Sequence, residues 1–504
     1  MKIMNILMGV MLLANSITFS SCSEDDKVVY DKDVNLTLST SAILLPQEGG
    51  NATVDVESGY FWQIYGDSQW CDLSLAKGEP SKPATVTVSV GENNSDMPRY
   101  VSLKVKSGYE SKDLIILQTG KNYNQPDRTG MEHTANEVVY SIKNGWNLGN
   151  TLEAKDNSKL GTGESTETAW GNPVVTKEFI DKVYEYGFNG IRIPCGWQYH
   201  IINDTDPKSP DYMRIHPDWM ARVKEVVDYC LSDKPDMKVF LNMHHSAFVD
   251  DAAALNKDSV AVSEPKMFKV WYQIAEAFKD YDERLIFGAC NEPDSKDPAS
   301  AEILKIYQQA FVNAVRSTGG KNAYRTLFVQ SPCTNTGYAL SFMQLVSDFV
   351  PDHLGVEVHF YEPMLFCRGE DADWGRASYF WGKKYAQKPI KGIDRNSPDN
   401  EDAVEAVLPQ LKAKFVDNGL PLISGEYGAS HKDLSFSPTI QKIHDESYAY
   451  YHEYIVRRMK ENGIVPFVWD TGGIINRKTF KIDNPLEFNA ITEGAKANYP
   501  NDPK

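Results

Sequence analysis

The sequence predicts an α/β chain: a (β/α)8 (TIM) barrel preceded by a small all-β, immunoglobulin-like sandwich. Two patterns carry that prediction. From about residue 136 onward, short apolar runs alternate with amphipathic stretches, as parallel strands joined by crossover helices do. From Val34 to Gly120 the pattern is alternation with a period of two, broken by Gly, Asn and Pro, as in the half-buried strands of a sandwich, and the domain is placed at residues 37–120. At 504 residues the chain has room for both, since a barrel takes about 250 residues or more.

The chain opens with Lys2 and a mostly apolar stretch from Ile3 to Ala14. That stretch is too short to span a bilayer and has the layout of an export signal over residues 1–21. Ser20 and Ser21 precede Cys22, with Phe19 three positions before the cysteine, where Leu is commoner. The segment resembles a bacterial lipoprotein signal, which implies that Cys22 becomes the lipidated first residue; an ordinary cleaved signal peptide is the alternative. The acidic run Ser23-Glu24-Asp25-Asp26 is similar to the surface-export tag of Bacteroides-type lipoproteins. It implies an outer-membrane anchor at the cell surface, facing outward. Residues 22–36 form a polar tether.

In residues 37–120 the period-two strands are Ala52 to Val56, Ala84 to Val90, Val101 to Val105 and Leu114 to Gln118, with Trp62 and Trp70 between them. With Asn93, Arg99 and the closing Gln118-Thr119-Gly120, the region resembles the BACON domain of surface glycan-degrading proteins. That family's name implies carbohydrate binding, whereas the residues themselves favour a spacer in which Trp62 and Trp70 are packing residues. Residues 121–135 lack periodicity and form a linker.

The barrel spans residues 136–504. Its strand candidates are Ile142 to Leu148, Gly190 to Pro194, Lys238 to Met243, Leu285 to Ala289, Leu327 to Gln330, Gly355 to Phe360, Leu422 to Gly425 and Val465 to Trp469. Helical periodicity lies between them at Thr176 to Tyr186, Pro217 to Leu231, Lys266 to Tyr281, Ala301 to Ser317, Asp402 to Asn418 and Ile440 to Asn462.

Composition narrows the function. A net charge of −17 repels polyanions, so nucleic acid is excluded as a partner, while a neutral polysaccharide is indifferent to it. Ten Trp and 26 Tyr fill cores and also suit the apolar faces of sugars. The cysteines after Cys22 (Cys71, Cys195, Cys230, Cys290, Cys333 and Cys367) show neither CxxC nor zinc spacing. Mostly buried free thiols are expected.

Barrel chemistry sits at the C-terminal ends of the strands, so the residues just past each strand are the test. The first strand gives Trp146-Asn147-Leu148-Gly149-Asn150, the second Arg192-Ile193-Pro194, and the third runs into His244-His245. The fourth leads to Asn291-Glu292-Pro293, the sixth to His359-Phe360-Tyr361, the seventh to Glu426-Tyr427-Gly428 and the eighth to Trp469-Asp470. Carboxylates after strands four and seven face each other across a closed barrel. A protonated one that serves the leaving oxygen and an ionised one that attacks the anomeric carbon constitute retaining glycoside hydrolysis, at a spacing of about 5–5.5 Å. Adjacent histidines on a strand point to opposite faces, so His244 and His245 make poor metal co-ligands and His245 can pack behind the barrel. No metal and no cofactor is expected. Trp146, Trp170 and Trp197 read as structural as readily as sugar-binding, and Cys290 as a small buried side chain. The aromatic segment from Phe366 to Lys384, with Trp374, Tyr379, Phe380 and Trp381, is either a subsite wall or a small core of its own.

The ordered set Asn291-Glu292-Pro293, His359-Phe360-Tyr361 and Gly425-Glu426-Tyr427-Gly428, with Arg192, His244 and Trp469, resembles glycoside hydrolase family 5. Gly145 to Asn150 and Thr168 to Pro173 are similar to its subfamily 4, which holds endoglucanases and xyloglucanases. The resemblance covers about residues 136–495. It implies that Glu292 is the acid/base and Glu426 the nucleophile. It further implies that Asn291 donates to the 2-hydroxyl of the cleaved sugar, that Arg192 and Tyr361 hold Glu426 ionised and oriented, and that His359 lies near Glu292. His244 and His245, with Asn150, would bind hydroxyls near the cleavage point, and Trp469 would be the floor under the sugar. The activity implied is endo-β-1,4-glucanase on a plant cell-wall glucan, xyloglucan first, by a monomer. Unbranched glucans, mannan and a non-catalytic glycan-binding protein are the rival readings.

Overall fold

The computed structural model describes residues 33–66, 68–370 and 377–500. The export signal, Cys22, most of the tether and Trp374 lie outside the described residues.

The N-terminal module is two packed sheets. One has the order β1 (Thr37–Leu38), β3 (Gly50–Glu57), β7 (Ala84–Val90), β5 (Cys71–Leu73), and the other β2 (Ala42–Leu45), β9 (Glu110–Gln118), β8 (Arg99–Ser107), β4 (Trp62–Tyr65), β6 (Lys77–Gly78). Period two has its expected consequence: Val54 and Val56 of β3 and Val86, Val88 and Val90 of β7 are buried, while Thr53, Asp55 and Thr85 between them face outward. Val34 and Leu36 are buried in the same core. The last residues assigned to the tether are therefore part of the sandwich, because Val34-x-Leu36 continues the alternation ahead of β1. Trp62 is buried in the core. Trp70 lies under the Arg99 guanidinium, 4.7 Å from its ring centre, and Arg99 Nε donates to Gln118 Oε1 at 2.9 Å. Both tryptophans are thus packing residues.

Residues 121–135 are not a free linker. Asn124 N–H donates to the Thr318 carbonyl (3.2 Å) and Asp127 N–H to that of Gly320 (3.0 Å), and a Cβ on Gly319, whose φ is +66°, would fall 1.8 Å from the Asn124 carbonyl oxygen. The sandwich also touches the helices Val260–Phe278 and Pro298–Arg316. Tyr100 donates to Glu264 (2.9 Å), and Lys104–Glu302 and Lys305–Asp113 pair at 3.0 and 2.5 Å.

The second unit is a closed parallel barrel: β10 (Gly145–Asn147), β11 (Gly190–Ile193), β12 (Lys238–Asn242), β13 (Leu285–Gly288), β14 (Leu327–Gln330), β15 (Leu354–Phe360), β16 (Leu422–Tyr427) and β17 (Ile464–Val468), with β17 pairing back to β10. Its strands are buried almost throughout, as expected where helices cover one face and the barrel interior the other. The interior is filled by rings set against glycines. Phe240 lies 5.4 Å from Phe328 and 6.3 Å from Phe467, centre to centre. A Cβ on Gly288 would fall 2.5 Å from Phe240, one on Gly355 2.4 Å from Phe328, and one on Gly145 2.7 Å from Phe467. This layer closes the barrel and supports the polar layer above it.

Several helix limits move by a few residues, two of them by four or more. The helix placed at Lys266 starts at Val260 and runs through Pro265, because a proline this close to a helix start removes a single early backbone bond. The helix placed to Asn418 ends at Lys414, and a short 3-10 turn, Val416–Asn418, completes it. In the aromatic segment, Ala377, Tyr379 and Phe380 cluster with Leu434, and Trp381 packs edge-on to Tyr451 at 5.1 Å. These rings hold the loop together and form no subsite wall.

Candidate active site

The site is built around Arg192, the third residue of β11 and fully buried. Its Nη1 donates to Asn147 Oδ1 and to Glu426 Oε1, both at 3.0 Å. Its Nη2 donates to Asn291 Oδ1 at 2.8 Å and lies 3.0 Å from Glu357 Oε1. A planar, permanently charged fork suits this multiple duty. Asn291 gives its oxygen to Arg192, so its amide N–H groups remain to offer a sugar hydroxyl.

Glu426 is 6% exposed. Tyr361 donates to its Oε2 at 2.9 Å, so the nucleophile candidate is gripped at both oxygens. A β-bulge aims it: β15 pairs Val358 with Ser424 but His359 with Glu426, leaving Gly425 as the extra residue. A bulge turns the side chain beyond it.

Glu292 lies past β13 and opens onto the cleft. Its Oε1 is 2.7 Å from His359 Nδ1, and His359 Nε2 is 3.2 Å from Glu357 Oε1. One ligand atom from each of Glu292, His359 and Glu426 falls within 4.8 Å of the others. That carboxylate spacing is close to the roughly 5–5.5 Å of a retaining pair and well short of the about 6.5–9.5 Å that leaves room for a water between them. A divalent ion would also fit the spacing, but Arg192 and a cationic His359 already supply positive charge there.

Electrostatics set the roles. Burial alone would lower His359, but Glu426, Glu292 and Glu357 around it push it up to about 9. Glu292 is raised by burial and lowered more strongly by His359, ending near 2. The two groups meet at 2.7 Å, so a proton held between them lies where a leaving oxygen needs one. Burial and the Glu426 carboxylate push the Tyr361 hydroxyl well up, so it remains a donor.

His244 is buried, and burial together with the charges of His245, Arg192 and His359 drives its pKa far down. It is therefore a neutral hydrogen-bonding imidazole. Its ring lies parallel to Trp469, 6.0 Å away, at the end of β17. His245 does not pack behind the barrel. It lies past the end of β12 with φ +55°, which breaks strand alternation and brings its ring 4.3 Å from that of His244. Both rings and Asn150 line the cleft. Trp146 and Trp197 are structural, donating to Asp470 (3.0 Å) and to the Asn242 carbonyl (3.1 Å). Trp170 is 42% exposed and faces the cleft.

The cleft has two adjoining parts of about 560 and 900 Å³ that share Trp170, His245, Asn291 and Glu292. It therefore continues on both sides of Glu292, as cutting inside a chain requires. Glu357 and Gln330, both buried, belong to the site without standing out in the sequence, and Asn147 of the first-strand motif joins them through Arg192. The available signal for Glu357 was a charge two residues before His359 on a strand otherwise apolar, which places both on the same face.

Residues 153–473 match the cellulase family, glycosyl hydrolase family 5. The chain belongs to glycoside hydrolase family 5. Residues 60–119 match the BACON family, a putative binding domain. A xyloglucan-specific endo-β-1,4-glucanase of Bacteroides ovatus is 27% identical over 501 residues, 96% of this chain and 95% of that protein. Endoglucanase A of Ruminococcus albus is 33% identical over 386 residues, 72% of this chain and 93% of that one. The structure of a Bacteroides ovatus family 5 xyloglucanase in complex with a XXXG heptasaccharide superposes with a TM-score of 0.68 at 27% identity, covering 92% of this chain and 100% of that one.

As a family 5 glycosidase the enzyme works with retention. The arrangement places Glu426 where it could attack an anomeric carbon and the Glu292–His359 pair where it could give a proton to the departing oxygen. In the second step of such a scheme Glu292 would take a proton from the water that cleaves the glycosyl ester, releasing Glu426. Arg192 and Tyr361 keep the attacking oxygens in place.

Proposed function

We propose that this enzyme is an endo-β-1,4-glucanase whose preferred polymer is xyloglucan, acting as a monomer held to the outer face of the outer membrane through Cys22. The observation that carries the endo reading is the cleft that runs past Glu292 on both sides. Xyloglucan is favoured by the Bacteroides ovatus relative, which is similar along sandwich and barrel together. An unbranched glucan is the second reading, favoured by the 33% identity over 386 residues to the Ruminococcus albus endoglucanase. The sandwich acts as a spacer, since Trp62 and Trp70 are occupied in packing.

The deciding experiment is reducing-end release on xyloglucan, carboxymethyl cellulose, mixed-linkage glucan and mannan side by side, with protein lacking residues 1–22. Faster release from xyloglucan is expected. A preference for an unbranched glucan or for mannan moves the substrate, and binding with no release on any polymer defeats the enzyme reading. Palmitate labelling that Cys22→Ala abolishes is expected; labelling that persists, or none in the unaltered chain, defeats the anchor.

A further inference from the structure

The chemistry above uses Glu292, Glu426 and His359 and leaves a third carboxylate unexplained. Glu357 is fully buried beneath them and cannot touch a polysaccharide. Burying a carboxylate costs several kcal/mol, on the order of the whole stability of a domain, unless charge and hydrogen bonds compensate. Here they do. Oε1 lies 3.0 Å from Arg192 Nη2 and 3.2 Å from His359 Nε2, and Oε2 accepts from Gln330 Nε2 at 2.5 Å. Gln330 is fixed in turn, accepting the Cys290 N–H at 2.9 Å, one residue before Asn291. The opposite strand leaves room for this: a Cβ on Gly425 would fall 1.8 Å from Glu357 Oε1. The extra residue of the bulge that aims Glu426 is therefore also one that has no side chain to displace Glu357.

We propose that Glu357 is a positioning residue for the acid step: it binds the Nε2–H of His359 so that the other ring nitrogen, Nδ1, holds its proton against Glu292. A carboxylate on one nitrogen of an imidazole fixes which nitrogen gains and loses the proton. Nδ1 is the atom 2.7 Å from Glu292 Oε1. The groups facing His359 come from every side of the mouth. Arg192 from β11, with Nη2 at 3.5 Å, opposes its protonation, His244 from the end of β12 is neutral, and Glu292, Glu426 (3.7 Å) and Glu357 favour it. Glu357 lets a cationic imidazole persist beside a buried arginine. Above the upward-shifted pKa of His359, about 9, the pair has no proton left to give.

The inference rests on the family 5 acid step and not on the identity of the glucan, so any polymer that is cleaved will serve. In Glu357→Gln the side-chain shape is kept and the charge lost. The alkaline limb of kcat/KM on polymer, which reports the free enzyme, should move to lower pH by about one unit or more. An aryl β-glycoside with an activated leaving group, which needs no proton from Glu292, should lose less than the polymer does. An unmoved limb with equal loss on both substrates would mean a purely structural role and overturn the proposal. Should Glu357→Gln fail to fold, Gly425→Ala displaces the same carboxylate and should shift the limb the same way; a folded Gly425→Ala with the limb unmoved also overturns it.

Discussion

The bottom of the barrel and its mouth each bury an arginine completely, and the two are held in opposite ways. Arg325, just ahead of β14, gives its N–H groups to neutral oxygens: Nε to Asn322 Oδ1 (2.7 Å), Nη1 to the carbonyls of Asp282 and Leu285 (2.9 and 2.7 Å), and Nη2 to those of Phe278 and Tyr281 (3.3 and 2.5 Å). Arg192 instead meets two carboxylates and two amide oxygens. Burial pushes Arg325 down to about 9, whereas at Arg192 the same burial is outweighed by Glu357 and Glu426 and the pKa rises. An arginine tied to backbone carbonyls staples chain segments. An arginine tied to carboxylates fixes the charges of a reaction.

The sharpest test of that contrast starts from the carboxylates. Glu426→Ala should lower turnover by on the order of 10⁴-fold or more while affinity electrophoresis still shows glucan binding, because the cleft survives the loss of the nucleophile. Glu292→Gln comes next, with a loss on polymer of about 10²–10⁴-fold and a kcat/KM on activated aryl glycosides near the unaltered value; equal losses on both would contradict the acid role. The arginines should then separate. Arg192→Met should reduce kcat by about 10²-fold or more, since a preorganised charge at the reacting group is lost. Arg325→Met should cost about 2–4 kcal/mol of unfolding free energy by leaving carbonyls unpaired, yet keep activity per folded molecule. If Arg325→Met proves the more damaging to kcat, the comparison fails.

The smallest effect is on stability against pH. His359 is raised from its ordinary 6.5 to about 9 in the folded chain, so the folded state binds the proton more tightly than the unfolded one. That contribution is fully present below about pH 6.5 and is lost as pH rises through about 9. Thermal unfolding from pH 6 to 10 should show the decline, and Glu357→Gln should shrink it.

Much of the fold and the site was legible in the sequence. Apolar runs bounded by helical periodicity located each barrel strand to within a few residues, and the residues at their C-terminal ends included both glutamates and Arg192, His359, Tyr361 and Trp469. The misses share a cause. His245 faces the cleft because its backbone enters the left-handed region, which no side-chain pattern announces. Val34 and Leu36 fell in the overlap of tether and alternating region because two alternating apolar residues are too few to fix where a domain begins. Glu357 looked like an interruption of an apolar strand, since what compensates its burial comes from β11 and β14, distant in the chain.

By itself the sequence determined the order of elements, the barrel, and which residue types stand at the strand ends. Those depend on local periodicity and on a rule of barrel geometry that holds wherever strands are parallel and closed. Only the tertiary structure decided the carboxylate spacing, the bulge at Gly425 and the close contact of Glu292 with His359. Each depends on distances between groups on different strands, and the energy of a buried charge is set by neighbours that the chain brings together only when it folds.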